Sequence, residues 1–140
     1  MFKYIYNFIL CLRFPFIKVK HRFDGKFCGY GSTELDFLPQ GWKKAFGIDI
    51  CKDLKACFKK TKNKNFRYSI AQIKEKWGSL RWYDNGVPQD ISKEYEEIIK
   101  KYEEISKNTC ILCGKYAIII NNKGWFEPIC NNCQKEMEKK

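Results

Sequence analysis

Two pairs of cysteines near the C-terminus constrain the fold more than any other feature of this chain. They read Cys110-Ile-Leu-Cys113-Gly114 and Cys130-Asn-Asn-Cys133, with sixteen residues between the pairs. Each Cys-x-x-Cys turn sets two thiolates on one side of the backbone, and two such turns supply the four sulfurs of a tetrahedral zinc site. Gly114 follows the first pair, where a tight turn favours a residue tolerant of positive φ. Four protein ligands leave no open position on the metal, so the expected role of Zn2+ is structural. Two redox dithiols or a disulfide pair are the competing readings of the same residues. The doubled motif is more specific for a metal than a single Cys-x-x-Cys.

The remaining cysteines, Cys11, Cys28, Cys51 and Cys57, stand singly in apolar or mixed surroundings. That pattern argues against a secreted disulfide framework and for a reducing, intracellular setting. The 140 residues suit one compact domain with a small appendage. Three parts are expected: an apolar and basic N-terminal segment over 1–30, an α+β domain over 31–107 and a zinc ribbon over 108–140.

Charge divides unevenly along the chain. Residues 1–70 hold 15 Lys and Arg against 5 Asp and Glu, whereas residues 71–140 hold 12 against 11. A basic half of this kind is the electrostatic footprint of a polyanion: nucleic acid, an acidic protein or an anionic membrane. A Lys-rich solubilising face is the plainer explanation. The density is greatest over Lys52–Arg67, which makes Lys59, Lys60, Lys62, Lys64 and Arg67 candidate contacts to nucleic acid or to an acidic nucleoprotein partner.

Periodicity sketches the rest. Trp42, Phe46, Ile50, Leu54 and Phe58 recur every fourth residue after Pro39, which predicts an amphipathic helix ending in a solvated lysine loop. Phe66–Ile73 alternates as a strand, with a bulge expected between Ile70 and Ile73. Gly78-Ser79 is the expected hairpin turn and Leu80–Tyr83 the return strand. Alternation sends Leu80 and Trp82 to the core and Arg81 and Tyr83 outward, where a cation beside an aromatic ring suits nucleic-acid or partner binding. A second helix is expected over Ser92–Ser106, with Tyr95, Ile98, Ile99, Tyr102 and Ile105 as its apolar stripe. Tyr116–Ile120 and Gly124-Trp125-Phe126 read as a hairpin between the two cysteine pairs. The fold class is therefore α+β: two amphipathic helices on a small antiparallel hairpin sheet, with a C-terminal zinc ribbon.

Catalysis finds little support. His21 is the sole histidine and reads as a surface residue, not a base. Asp49 and Asp53 share a helix face but lack a third ligand for a hard cation. Phosphate-binding glycine loops and nucleophile elbows are absent from the sequence. No catalytic residue and no small-molecule substrate are expected. The uncharged stretch Tyr4–Leu12 is far shorter than the ~20 residues of a spanning helix. It reads either as an interfacial anchor at a membrane surface or as a helix packed on the domain.

Three segments together resemble a known family. They are Leu35-Asp36-Phe37-Leu38-Pro39-Gln40-Gly41-Trp42-Lys43-Lys44-Ala45-Phe46-Gly47, then Gln72-Ile73-Lys74-Glu75-Lys76-Trp77-Gly78-Ser79-Leu80-Arg81-Trp82-Tyr83, then the cysteine module with Gly124-Trp125. This pattern, spanning Leu35–Cys133, resembles small zinc-ribbon-containing proteins of phages, prophages and bacterial genomes. In that family the second metal pair is sometimes Cys-His; here it is Cys130 and Cys133. The resemblance implies a phage or mobile-element origin and a metal site, and it implies no reaction; the expected location is the cytoplasm of a bacterial host cell. The leading expectation is a non-enzymatic zinc-binding accessory protein that binds nucleic acid or a nucleic-acid-handling complex. A protein-binding inhibitor of a host defence nuclease is the alternative. A nuclease is disfavoured, because metal-assisted hydrolysis needs an open metal position.

Overall fold

The computed structural model describes residues 1–139. The fold is α+β, with four helices and two separate two-stranded antiparallel hairpins among the described residues. Helix α1 (Phe2–Arg13) opens the chain. Helix α2 follows as three consecutive pieces: an α-helical turn Gln40–Trp42, a π-helical stretch Lys43–Gly47 and a longer α-helix Ile48–Phe58. The wide π turn falls inside the every-fourth-residue stripe without breaking it. Trp42, Phe46, Ile50 and Leu54 are all buried, and they form the centre of the main core. Leu10, Cys11, Phe14 and Ile17 join the same core, so the N-terminal segment packs against the α+β body.

Strands β1 (Ile70–Lys76) and β2 (Ser79–Asp84) pair with a register shift between Ile70 and Gln72, the bulge the sequence predicts. Two details differ from the sequence expectation. The turn residues are Trp77 and Gly78, both at positive φ (56° and 80°), since Lys76 already faces Ser79. That is the left-handed two-residue turn whose twist matches a hairpin. The first strand also begins at Ile70, not Phe66. The return strand ends at Asp84, which leaves Phe66 and Tyr68 no backbone to pair with. Their rings pack instead with Phe16, Phe58 and Tyr95 in an aromatic cluster. Leu80 and Trp82 point inward and Tyr83 outward, as alternation requires.

Helix α3 (Ser92–Lys107) covers the inner face of the first hairpin. Tyr95, Ile99 and Tyr102 are buried, but Ile105 is exposed. The stripe ends one residue later on Ser106, whose hydroxyl accepts the Leu80 N–H at 2.9 Å and donates to Glu103 O. A helix surface must turn away from the sheet near its end, and here a hydrogen bond takes over from apolar contact.

Strands β3 (Ile119–Asn122) and β4 (Trp125–Pro128) form the second hairpin, turned at Lys123 and Gly124. The strand starts at Ile119, later than the expected Tyr116, because Tyr116 and Ala117 bond back to Thr109 and Asn108. Helix α4 (Asn131–Glu138) closes the chain, an element absent from the sequence expectation.

Candidate functional site

The second hairpin brings the four C-terminal cysteines together. The Sγ atoms of Cys110, Cys113, Cys130 and Cys133 all lie within 4.8 Å of one another, and Cys113 and Cys130 are 3.6 Å apart. A tetrahedral thiolate shell with metal–sulfur distances of about 2.3 Å separates neighbouring sulfurs by roughly 3.8 Å. The cluster is therefore positioned to hold a metal ion. The first pair sits in a turn closed by Gly114 N–H to Cys110 O at 3.0 Å. The second pair sits at the start of α4, with Cys130 as its N-cap and Cys133 in its first turn. A helix N-terminus favours negative charge, so it supports thiolates there.

The surroundings of Cys110 favour the ligand form. Burial alone would push this thiol up. The backbone N–H groups of Cys130, Cys113 and Leu112 converge on the sulfur and bring it down to about 6. Burial and the adjacent sulfurs push Cys133 the other way. Four thiolates this close repel one another unless a cation sits among them. The apolar support is small: Cys110, Ala117 and Ile129 are its buried members. Ion binding would supply much of the module's folding free energy.

The module is fixed to the body by hydrogen bonds to its backbone carbonyls. Gly41 at the start of α2 donates its N–H to Ile111 O at 2.8 Å, and Trp42 Nε1 donates to Thr109 O at 2.8 Å. Both acceptors flank Cys110.

The basic residues assemble elsewhere, around a cleft of about 1050 Å³. Lys55 and Lys59 from the end of α2, and Lys64 and Arg67 from the loop after it, line one part of the wall. Arg13, Lys18, Lys20 and Arg22 from the N-terminal segment line another. Eight cations thus share the lining with Glu34, its one acidic side chain among the described residues, and burial pushes the Glu34 carboxyl up despite nearby Arg22. Phe16, Phe58, Phe66 and Tyr68 contribute aromatic lining. The N-terminal cations are the part that sequence reasoning missed. The one-sided charge of residues 1–70 was their signal, but nothing local showed that residues 13–22 return to the end of α2.

The other candidates are placed differently. Lys60 leaves the cleft and pairs with Glu94 at 2.6 Å, and Lys62 is outside the lining. The lysine run is not a uniformly solvated loop. Thr61 is buried and donates its hydroxyl to Asp90, which also accepts the Lys62 N–H. Arg81 and Tyr83 also lie outside the cleft lining. They belong to the outward face of β2, where Lys74 Nζ stands 6.0 Å from the Tyr83 ring centroid. His21 lines the cleft and is exposed. Asp53 accepts hydrogen bonds from Tyr102 Oη at 2.5 Å and Lys101 Nζ at 3.1 Å, a structural use of a carboxylate left free in the sequence reading.

No family model, curated protein or solved structure matches this chain. None of the described helices is long and apolar enough to cross a membrane.

Proposed function

We propose that this chain is a zinc-stabilised, non-enzymatic accessory protein of the bacterial cytoplasm that binds nucleic acid through its basic cleft. The cleft is the observation that carries the reading. Eight Lys and Arg side chains from two separate stretches of sequence converge on one concavity with aromatic lining. Cations neutralise phosphates and release counterions, while rings accept unstacked bases. Zinc is the favoured ion because an all-thiolate tetrahedral set selects it over hard cations. Four sulfurs complete its shell and leave no position for a reacting water. A phage or prophage origin rests on the resemblance of Leu35–Cys133 alone.

Fluorescence anisotropy with labelled single- and double-stranded DNA and RNA tests the binding. Affinity should fall by orders of magnitude between 50 and 200 mM salt, as expected for about six or more phosphate contacts. Absence of binding at low salt overturns the reading.

A second reading has its own observation. Trp77 and Phe126, at the edges of the two hairpins, lie 6.1 Å apart between ring centroids, and Trp77, Trp125 and Tyr116 are all more than 60% exposed. Exposed aromatic rings are the residue type that anchors protein interfaces. An inhibitor of a host nuclease would use such a surface. Its binding would change little with salt, and substitution of Trp77 and Trp125 would abolish it.

A further inference from the structure

Helix α1 is apolar on the wrong side. Of its 12 residues only Asn7, Leu10 and Cys11 are buried. The Asn7 side-chain amide donates to Tyr30 O at 2.8 Å, and Tyr4 and Phe8 meet the Tyr30 ring edge-on, so the rotation of the helix is fixed. That rotation turns Phe2, Ile5, Ile9 and Leu12 outward, at 89, 50, 51 and 65% exposure. Tyr4, Tyr6 and Phe8 flank them and are also exposed. At 100° per residue these side chains spread over about 200° of the helix circumference. Surface helices of soluble domains normally place charge there.

We infer that α1 lies in the surface of an anionic lipid bilayer, with Phe2, Ile5, Ile9 and Leu12 immersed among the acyl chains. Charge complementarity selects this occupant. Residues 1–30 carry six Lys and Arg against Asp24 alone, and Lys3 and Arg13 stand at the two ends of the helix. Cations at the ends of an apolar, aromatic-rich helix are the composition of an interfacial helix, and anionic headgroups attract them. A second copy of the chain would bring the same positive charge against itself. A rigid protein groove covers one stripe of a helix, whereas a fluid interface can enclose a convex surface this wide. At 12 residues the helix lies along the interface and does not span it. This inference does not rest on nucleic-acid binding: Phe2, Ile5, Ile9 and Leu12 lie outside the cleft lining.

Vesicle flotation with the full chain tests it. Vesicles of phosphatidylcholine mixed with phosphatidylglycerol should carry the protein, and vesicles of phosphatidylcholine alone should carry it at least ~10-fold less. The double substitution Ile5→Gln, Ile9→Gln should lower partitioning at least ~10-fold. Its thermal midpoint should stay unchanged, because both side chains are exposed. The pair Ile5→Leu, Ile9→Leu should bind as the parent does. Failure to float with anionic vesicles overturns the inference. So does binding undiminished in the Gln pair, which would leave the cleft cations alone holding headgroups. A dimer in sedimentation that the Gln pair dissociates would also overturn it, assigning the face to a second copy.

Discussion

Gly41 and Cys110 touch through their backbones: a Cβ on Gly41 would stand 2.1 Å from the Cys110 carbonyl oxygen. Gly114 completes the contact from the other side, where a Cβ would meet Gly41 O at 2.7 Å. The first cysteine turn is thus seated on the start of α2 with no room for a side chain between them. The cysteine cluster and the first turn of the Trp42 helix are thus in direct backbone contact.

Gly41→Ala should therefore destabilise the whole protein. The obstructing atoms are backbone, which cannot rotate away, so the cost should reach about 3 kcal/mol or more. Urea denaturation should show a lowered midpoint, and a chelator should strip the metal faster than from the parent.

One zinc per chain is expected by elemental analysis. Cys113→Ser should abolish stoichiometric binding and unfold the second hairpin, because three buried residues cannot hold it. Loss of β3–β4 amide protection in hydrogen exchange, with β1–β2 retained, is the expected signature.

Leu54 is fully buried at the centre of the main core. Leu54→Ala should cost about 2–5 kcal/mol, read from the denaturation midpoint.

Salt dependence should separate the lysines of one loop. Replacing Lys59, Lys64 and Arg67 with Gln should flatten the salt slope of nucleic-acid binding by about two to three units, near one per phosphate lost. Replacing Lys60 and Lys62 should leave the slope nearly unchanged, since both lie outside the cleft lining. Lys18, Lys20 and Arg22 should behave like the first group.

Acid should loosen the connection before α2. Burial would raise the Asp36 carboxyl, but Lys43 and the Thr33 N–H hold it below the ordinary range. A depressed carboxylate contributes stability that is complete above its unfolded pKa of about 4 and is lost as pH falls through the folded value. Asp36→Asn should cost about 1 kcal/mol at neutral pH, as loss of a cap does. The difference from the parent should shrink below pH 4 in a thermal-midpoint series.

The cysteine cluster is legible because its members come in two local pairs, each readable within four residues. The Trp42 stripe and the β1 bulge were legible for the same reason: both are periodic signals in continuous sequence. The cleft was only half legible. Lys59, Lys64 and Arg67 form a dense run in the sequence, but Arg13, Lys18 and Lys20 are far earlier in the chain and meet them through packing such as that of Phe16 on Phe58 and Tyr68. The two-residue turn at Trp77-Gly78 was missed because a bulky ring rarely takes positive φ. The tight seat of Gly78 against Ile119 and Phe126 of the second hairpin accompanies that choice. Helix α4 is hidden by a short, polar sequence that starts at one of the four clustered cysteines.

The four tryptophans fall into two optical classes. Trp42 and Trp82 are enclosed, with their indole N–H groups held by Thr109 O and Tyr68 Oη, whereas Trp77 and Trp125 stand in water on the hairpins. Intrinsic emission should therefore be the sum of a blue component shielded from iodide and a red component quenched by it. Because the acceptor of the Trp42 proton is the residue before Cys110, the shielded component alone should redden when the metal is withdrawn, giving an unlabelled readout of occupancy.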